Sequence, residues 1–159
     1  MPFDAAALNR SLLTECAALR GFVALLNSEQ KALVDGDLEL MASFNAPKAG
    51  ALFEITNLVE ARQTLLRRHD YPADRAGTER AVEDHAAHAA GLETSWRQVL
   101  QLTETAHALN ATNGILIDTR LRGTQQALSV LFTAARIPSA YGADGTTVGY
   151  RPAGRIAVV

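Results

Sequence analysis

Between Asp4 and Val34 the apolar positions fall at Leu8, Leu12, Cys16, Leu19, Val23, Leu26 and Leu33, with Gln30 in the remaining slot. Steps of three and four draw one stripe along a helix. Leu13, Phe22 and Leu25 widen the stripe, which suits burial in a bundle better than a narrow two-stranded seam. Asp35-Gly36-Asp37 then reads as a stop and a restart. Gly36 can take the left-handed conformation that ends a helix, and Asp37 can cap the next one. A link this short sets the second helix antiparallel to the first. The second stripe holds Met41, Phe44, Lys48, Ala51, Ile55, Leu58, Arg62 and Leu65. Pro47 interrupts it and predicts a kink or a one-turn break, with Asn45 capping the restart. Lys48 and Arg62 stand on the stripe and are expected to lay their stems on apolar neighbours, with the charge in water.

Tyr71-Pro72 and Gly77 mark residues 70–77 as a loop, after which Thr78 is the expected cap of a third segment. Its stripe runs through Val82, Ala89, Leu92, Trp96, Val99, Thr103, Ala106, Asn110, Asn113, Ile117, Leu121, Thr124, Leu128, Leu131 and Ala135. The phase survives Asn113-Gly114, which argues for one very long helix. Gly114, Thr119, Gly123 and Thr124 are poor helix formers and argue for a bend there. The alternative is a turn near 111–114 and a fourth helix running back. Residues 137–159 hold Pro138, Pro152 and four glycines, and cannot continue the helix. The expected fold is therefore all-α: an elongated antiparallel bundle of three long helices over residues 1–136, the third bent or broken near Asn113-Gly114, and a flexible tail over 137–159.

Composition narrows what such a bundle does. Of the 159 residues 48% are apolar and 20% charged, so the chain is not a polar disordered one. Lys plus Arg number 15 and Asp plus Glu 17, a net charge of -2 that leaves no basic footprint for nucleic acid. Even Arg68, Arg75 and Arg80 are interleaved with Asp70, Asp74 and Glu79. The single cysteine, Cys16, rules out a disulfide within the chain and multi-cysteine metal sites. No signal peptide is read at the start, and no stretch nears the roughly 20 apolar residues of a membrane span. These features predict a cytoplasmic protein without membrane insertion.

Candidate chemistry is sparse. A di-iron bundle needs two Glu-x-x-His pairs and two further glutamates, and Glu104 with His107 supplies one pair. His85 and His88 share a helix face but lack a third and fourth zinc ligand. Cys16 lies on the stripe as a small hydrophobe. Trp96 reads as a core residue whose N–H finds a carbonyl or water. Asn110 and Asn113 fall on an apolar stripe, where a polar residue fixes register, or else they mark a helix end. No catalytic residue, metal site or cofactor is expected.

Three segments carry a resemblance. They are Leu109-Asn110-x-x-Asn113-Gly114-x-Leu116-Ile117, then Gln125-Gln126-Ala127-Leu128-x-x-Leu131, then Tyr141-Gly142-Ala143-Asp144-Gly145. In order and spacing they resemble the C-terminal half of the FlgN family of flagellar export chaperones, with fainter echoes at Glu29, Lys48, Arg62 and Trp96. Pro47, the 70–91 stretch and the loose Arg155-Ile156 finish depart from the family pattern. The resemblance implies a cytoplasmic chaperone that binds the hook–filament junction proteins FlgK and FlgL and delivers them to the export gate. It implies substrate contact within 115–136, with Leu116, Leu121, Leu128, Leu131 and Phe132 as candidates. Leu116 and Phe132 stand beside the main stripe and are favoured, whereas Leu128 and Leu131 lie on it and would close the chain's own core. It also implies that Tyr141, with Gly142, Asp144 and Gly145, docks on the export-gate protein FlhA. Competing readings are a metal-carboxylate bundle enzyme and a purely structural coiled-coil adaptor. A homodimer is compatible with exposed stripe ends or an exchanged terminal segment.

Overall fold

The computed structural model describes residues 3–134. Five α-helices follow one another: α1 (Ala5–Asp35), α2 (Leu38–Ser43), α3 (Asn45–Arg67), α4 (Arg75–His85) and α5 (Leu92–Ala134). A single 3-10 turn, Ala86–His88, sits between the last two. Among the described residues there is no strand, and no helix is long and apolar enough to cross a membrane. The chain divides into two compact units, Met1–Ile117 and Asp118–Val159. The expected tail, 137–159, lies outside the described residues, and with it Tyr141, Gly142, Asp144 and Gly145.

In the first unit the local signals set the helix ends. The Asp4 carboxylate accepts from the Ala7 N–H and starts α1. Gly36 ends it at φ 79°, its N–H donating to the Ala32 carbonyl. Asp37 caps α2 by accepting from Leu40 N–H. α2 lasts six residues, and the chain restarts at once as α3. This is the one-turn break expected near Pro47, with one correction: the residue before the restart is Phe44, not Asn45, and no side chain caps it. Pro47 falls in the first turn of α3, where its missing N–H has no intrahelical partner to lose.

The third segment departs further from expectation. Asp74, not Thr78, caps α4, accepting from the Gly77 N–H at 2.8 Å. A Cβ on Gly77 would stand 1.9 Å from the Pro72 carbonyl oxygen, so only glycine lets the loop fold back on the helix. The helix then stops at His85, and α5 starts afresh at Leu92 after Gly91 at φ 84°. Beyond that start α5 is continuous through Gly114 and Gly123, and the turn near 111–114 does not occur.

Three long helices carry the unit. Arg62 meets Glu15 and Lys48 meets Glu29, which makes α3 antiparallel to α1. Asn9 and Ser95, Arg20 and Gln98, and Leu26 and Asn113 pair in rising order, so α5 runs parallel to α1. The main core packs Leu8, Leu12, Cys16 and Leu19 of α1 with Leu66, Ala81, Val82, Leu92, Trp96 and Val99. A thinner cluster of Phe22, Leu26 and Ala106 continues it. At one end Phe3 stacks on His85 (centroids 4.2 Å) and meets His69 and Tyr71 edge-on.

Candidate binding surface

Two buried polar layers fix where α5 lies in the first unit. In one, Arg62 donates from Nε to Glu15 Oε1 at 2.7 Å and from Nη1 to Thr78 Oγ1 at 2.6 Å. Its guanidinium sits 5.2 Å from the Trp96 ring centroid, a cation–π contact that reaches α5. Glu15 is 1% exposed and Arg62 7%. In the other layer Lys48 Nζ donates to both oxygens of Glu29 at 2.9 Å. Asn113 Nδ2 completes it, donating to Glu29 Oε2 at 2.8 Å and to the Leu26 carbonyl at 2.9 Å. Each layer therefore joins α1, α3 and α5. The expectation that Lys48 and Arg62 put their charges in water is corrected: a buried carboxylate on α1 faces each of them. Asn113 is 1% exposed and takes the register role, not that of a helix end, while Asn110 is exposed.

The sequence carries a signal for these layers that an apolar stripe alone does not reveal. Glu15 to Glu29 on α1, and Arg62 back to Lys48 on α3, are each two heptads. One antiparallel register therefore satisfies both pairs. Glu15 and Glu29 become legible only by asking what could face two basic residues on an apolar stripe.

The other chemistry is distributed as follows. Cys16 is fully buried, its Sγ donating to the Ser95 carbonyl at 3.5 Å. Burial pushes its thiol pKa up, Arg20 opposes this, and Glu15 adds to it. Trp96 is buried, and its Nε1 finds no acceptor among the described residues. His85 Nε2 lies 3.2 Å from Tyr71 Oη, which donates to Asp84 Oδ2 at 2.8 Å. Desolvation, then the Asp84 hydrogen bond, raise the Tyr71 pKa. Glu104 and His107 are both exposed on α5. Among the described residues no three His, Cys, Asp or Glu side chains gather as metal ligands.

In the second unit the α5 residues 118–134 are exposed throughout, with only Phe132 half-buried. Leu121 is 56% exposed, Leu128 48%, Val130 68% and Leu131 63%. Leu116, in the first unit, is half-buried. Among the described residues Leu121, Leu128 and Leu131 are exposed, and Leu116 and Phe132 are the more covered. Large apolar side chains thus stand exposed along one helix, among the described residues.

These features define an all-α bundle protein whose α5 carries, among the described residues, exposed apolar side chains. The family model described as FlgN protein matches residues 1–149, and the chain belongs to the FlgN family. It is 30% identical over 108 residues to the Flagella synthesis protein FlgN of Salmonella typhimurium (strain LT2), covering 66% of this chain and 74% of the relative. The Flagella synthesis protein FlgN of Salmonella typhi matches to the same extent. No solved structure matches the chain.

Proposed function

We propose that this chain is a cytoplasmic flagellar type III export chaperone that acts by binding and not by catalysis. It holds hook-associated proteins of the FlgK and FlgL type and delivers them to the export gate. The observation that carries this reading is the open face of Leu121, Leu128, Val130 and Leu131, on the last helix of a FlgN-family chain. An amphipathic helix from a client has an apolar surface to lie on there. Burying those four side chains, each about half exposed or more, withdraws apolar area from water on both partners and favours association. Tyr141, with Gly142, Asp144 and Gly145, is assigned to docking on FlhA, an aromatic anchor within the chain's last residues.

Co-expression with a FlgK- or FlgL-type protein tests the reading. A soluble stoichiometric complex is expected, and Leu128→Asp with Leu131→Asp should abolish it while leaving the helical circular dichroism unchanged. A wild-type chain that ignores both clients at micromolar concentration would refute it. For the gate, Tyr141→Ala is expected to spare client binding and to lower export of the client.

A further inference from the structure

Asn113-Gly114 is the one Asn-Gly step in the chain. In an open chain this dipeptide is the most reactive setting for an asparagine side chain, because a following residue without a Cβ lets its own amide nitrogen swing onto the carboxamide. The Gly114 nitrogen attacks Asn113 Cγ and gives up its proton to water. The Cγ–Nδ2 bond breaks, and the amine takes a proton and leaves as ammonia. Water then opens the cyclic imide. Attack at the side-chain carbonyl yields aspartate, and attack at the main-chain carbonyl yields isoaspartate. Water is the only co-reactant.

The folded chain withholds what each step needs. α5 is continuous through Gly114, so the Gly114 N–H is committed to the carbonyl four residues back. Charge developing on Asn113 Oδ1 needs a donor, and Oδ1 is buried with no partner among the described residues. The departing Nδ2 needs a proton, yet it faces acceptors: Glu29 Oε2 at 2.8 Å and the Leu26 carbonyl at 2.9 Å. At 1% exposure the residue also meets little water. An unpartnered buried oxygen weakens the layer as a piece of structure, but here it keeps the carboxamide inert.

The product does not fit back into the same place. An oxygen replaces Nδ2, so two carboxylates face each other across the former 2.8 Å contact and share the Lys48 ammonium. Like charges so placed repel, and the Leu26 carbonyl loses its donor. Isoaspartate adds a carbon to the main chain as well and breaks the helix ladder. We infer that Asn113-Gly114 is a latent deamidation site gated by the layer of Glu29, Lys48 and Asn113. Closed chains keep it unreactive. Chains whose α5 has parted from α1 and α3 at this level convert it once and do not rebuild the layer, so the modification is a permanent record of opening.

The full chain is incubated native and in guanidinium chloride, and peptide mass mapping follows the amide-to-acid change at position 113. Conversion is expected in denaturant, and the native chain should convert at least about tenfold more slowly. Gly114→Ala fits the helix, since a Cβ there meets nothing within 4 Å, and should suppress conversion in denaturant. Leu26→Ala loosens the packing beside the layer. It should speed native conversion and amide exchange of Gly114 by the same factor, to within about threefold. Asn113→Asp stands for the aspartate product. Its unfolding constant should exceed that of Asn113→Ala by at least about tenfold, and adding Glu29→Gln should remove the excess. The inference is overturned if native conversion comes within about tenfold of that in denaturant, or if Leu26→Ala speeds exchange and not conversion. Asn113→Asp as stable as Asn113→Ala would overturn it too. Should Asn113→Asp fail to fold, a folded double variant with Glu29→Gln supports the inference, and an unfolded one refutes the role given to the paired carboxylates.

Discussion

Removing the guanidinium of Arg62 should nearly unfold the first unit, and restoring neutrality at Glu15 should rescue it. Arg62 and Glu15 are 7% and 1% exposed, and their 2.7 Å contact is shared with Thr78 at 2.6 Å. Arg62→Met keeps most of the stem but leaves the Glu15 carboxylate buried without its cation. Breaking a buried pair in this way costs about 3–5 kcal/mol. Losing the cation–π contact with Trp96 adds about 0.5–2 kcal/mol. Whole domains are stable by about 5–15 kcal/mol, so the single variant should be marginal. Glu15→Leu with Arg62→Met removes both charges and should recover to within about 1–2 kcal/mol of the parent. Urea unfolding followed by far-UV circular dichroism and by Trp96 fluorescence gives both numbers and the coupling between them. A loss below about 1 kcal/mol for Arg62→Met, or strict additivity in the double variant, would refute a buried, coupled pair.

Further outcomes follow from other parts of the fold. Gly77→Ala should cost about 1–3 kcal/mol in urea titrations, because a Cβ would strike the Pro72 carbonyl 1.9 Å away. Asn113→Ala removes donors from Glu29 and from the Leu26 carbonyl and should cost about 1–3 kcal/mol, with amide exchange speeding up around Ala106 and Asn113; unchanged exchange there would count against the register role. Cys16 should react with a disulfide reagent only as fast as the chain opens. Its folded pKa is raised by burial, so its stabilising contribution is whole below the ordinary thiol pKa of about 8.5 and is lost as pH rises from there through the folded value. Labelling of the native protein at the rate of a free thiol would contradict this.

What can be read from the sequence depends on range. Gly36 and Asp37 set a helix end through contacts three to five residues away, and both act as their residue types predict. Pro47 likewise marks a break of one turn. The break at 86–91 is hidden because Val82, Ala89 and Leu92 keep the helical phase across it, and only Gly91 signals the positive φ that ends the run. Arg62 and Lys48 mislead for a related cause: a stripe shows that a position faces a neighbour, not which side chain waits there. The open face on α5 is harder still. Leu121, Leu128 and Leu131 continue the period that Trp96, Val99 and Ala106 bury, and periodicity alone is blind to whether a partner helix covers the stripe.

The parallel course of α1 and α5 sets an order of assembly. Hydrogen bonds between them link residues 78 to 87 apart, whereas Lys48 and Arg62 reach back only 19 and 47 residues to their carboxylates. A chain leaving the ribosome from its first residue can therefore close the α1–α3 hairpin, with both acids neutralised, while α5 is still being made. α5, with its exposed leucines, is also the last of the described helices to emerge, so those leucines leave the ribosome only after the hairpin has had time to form.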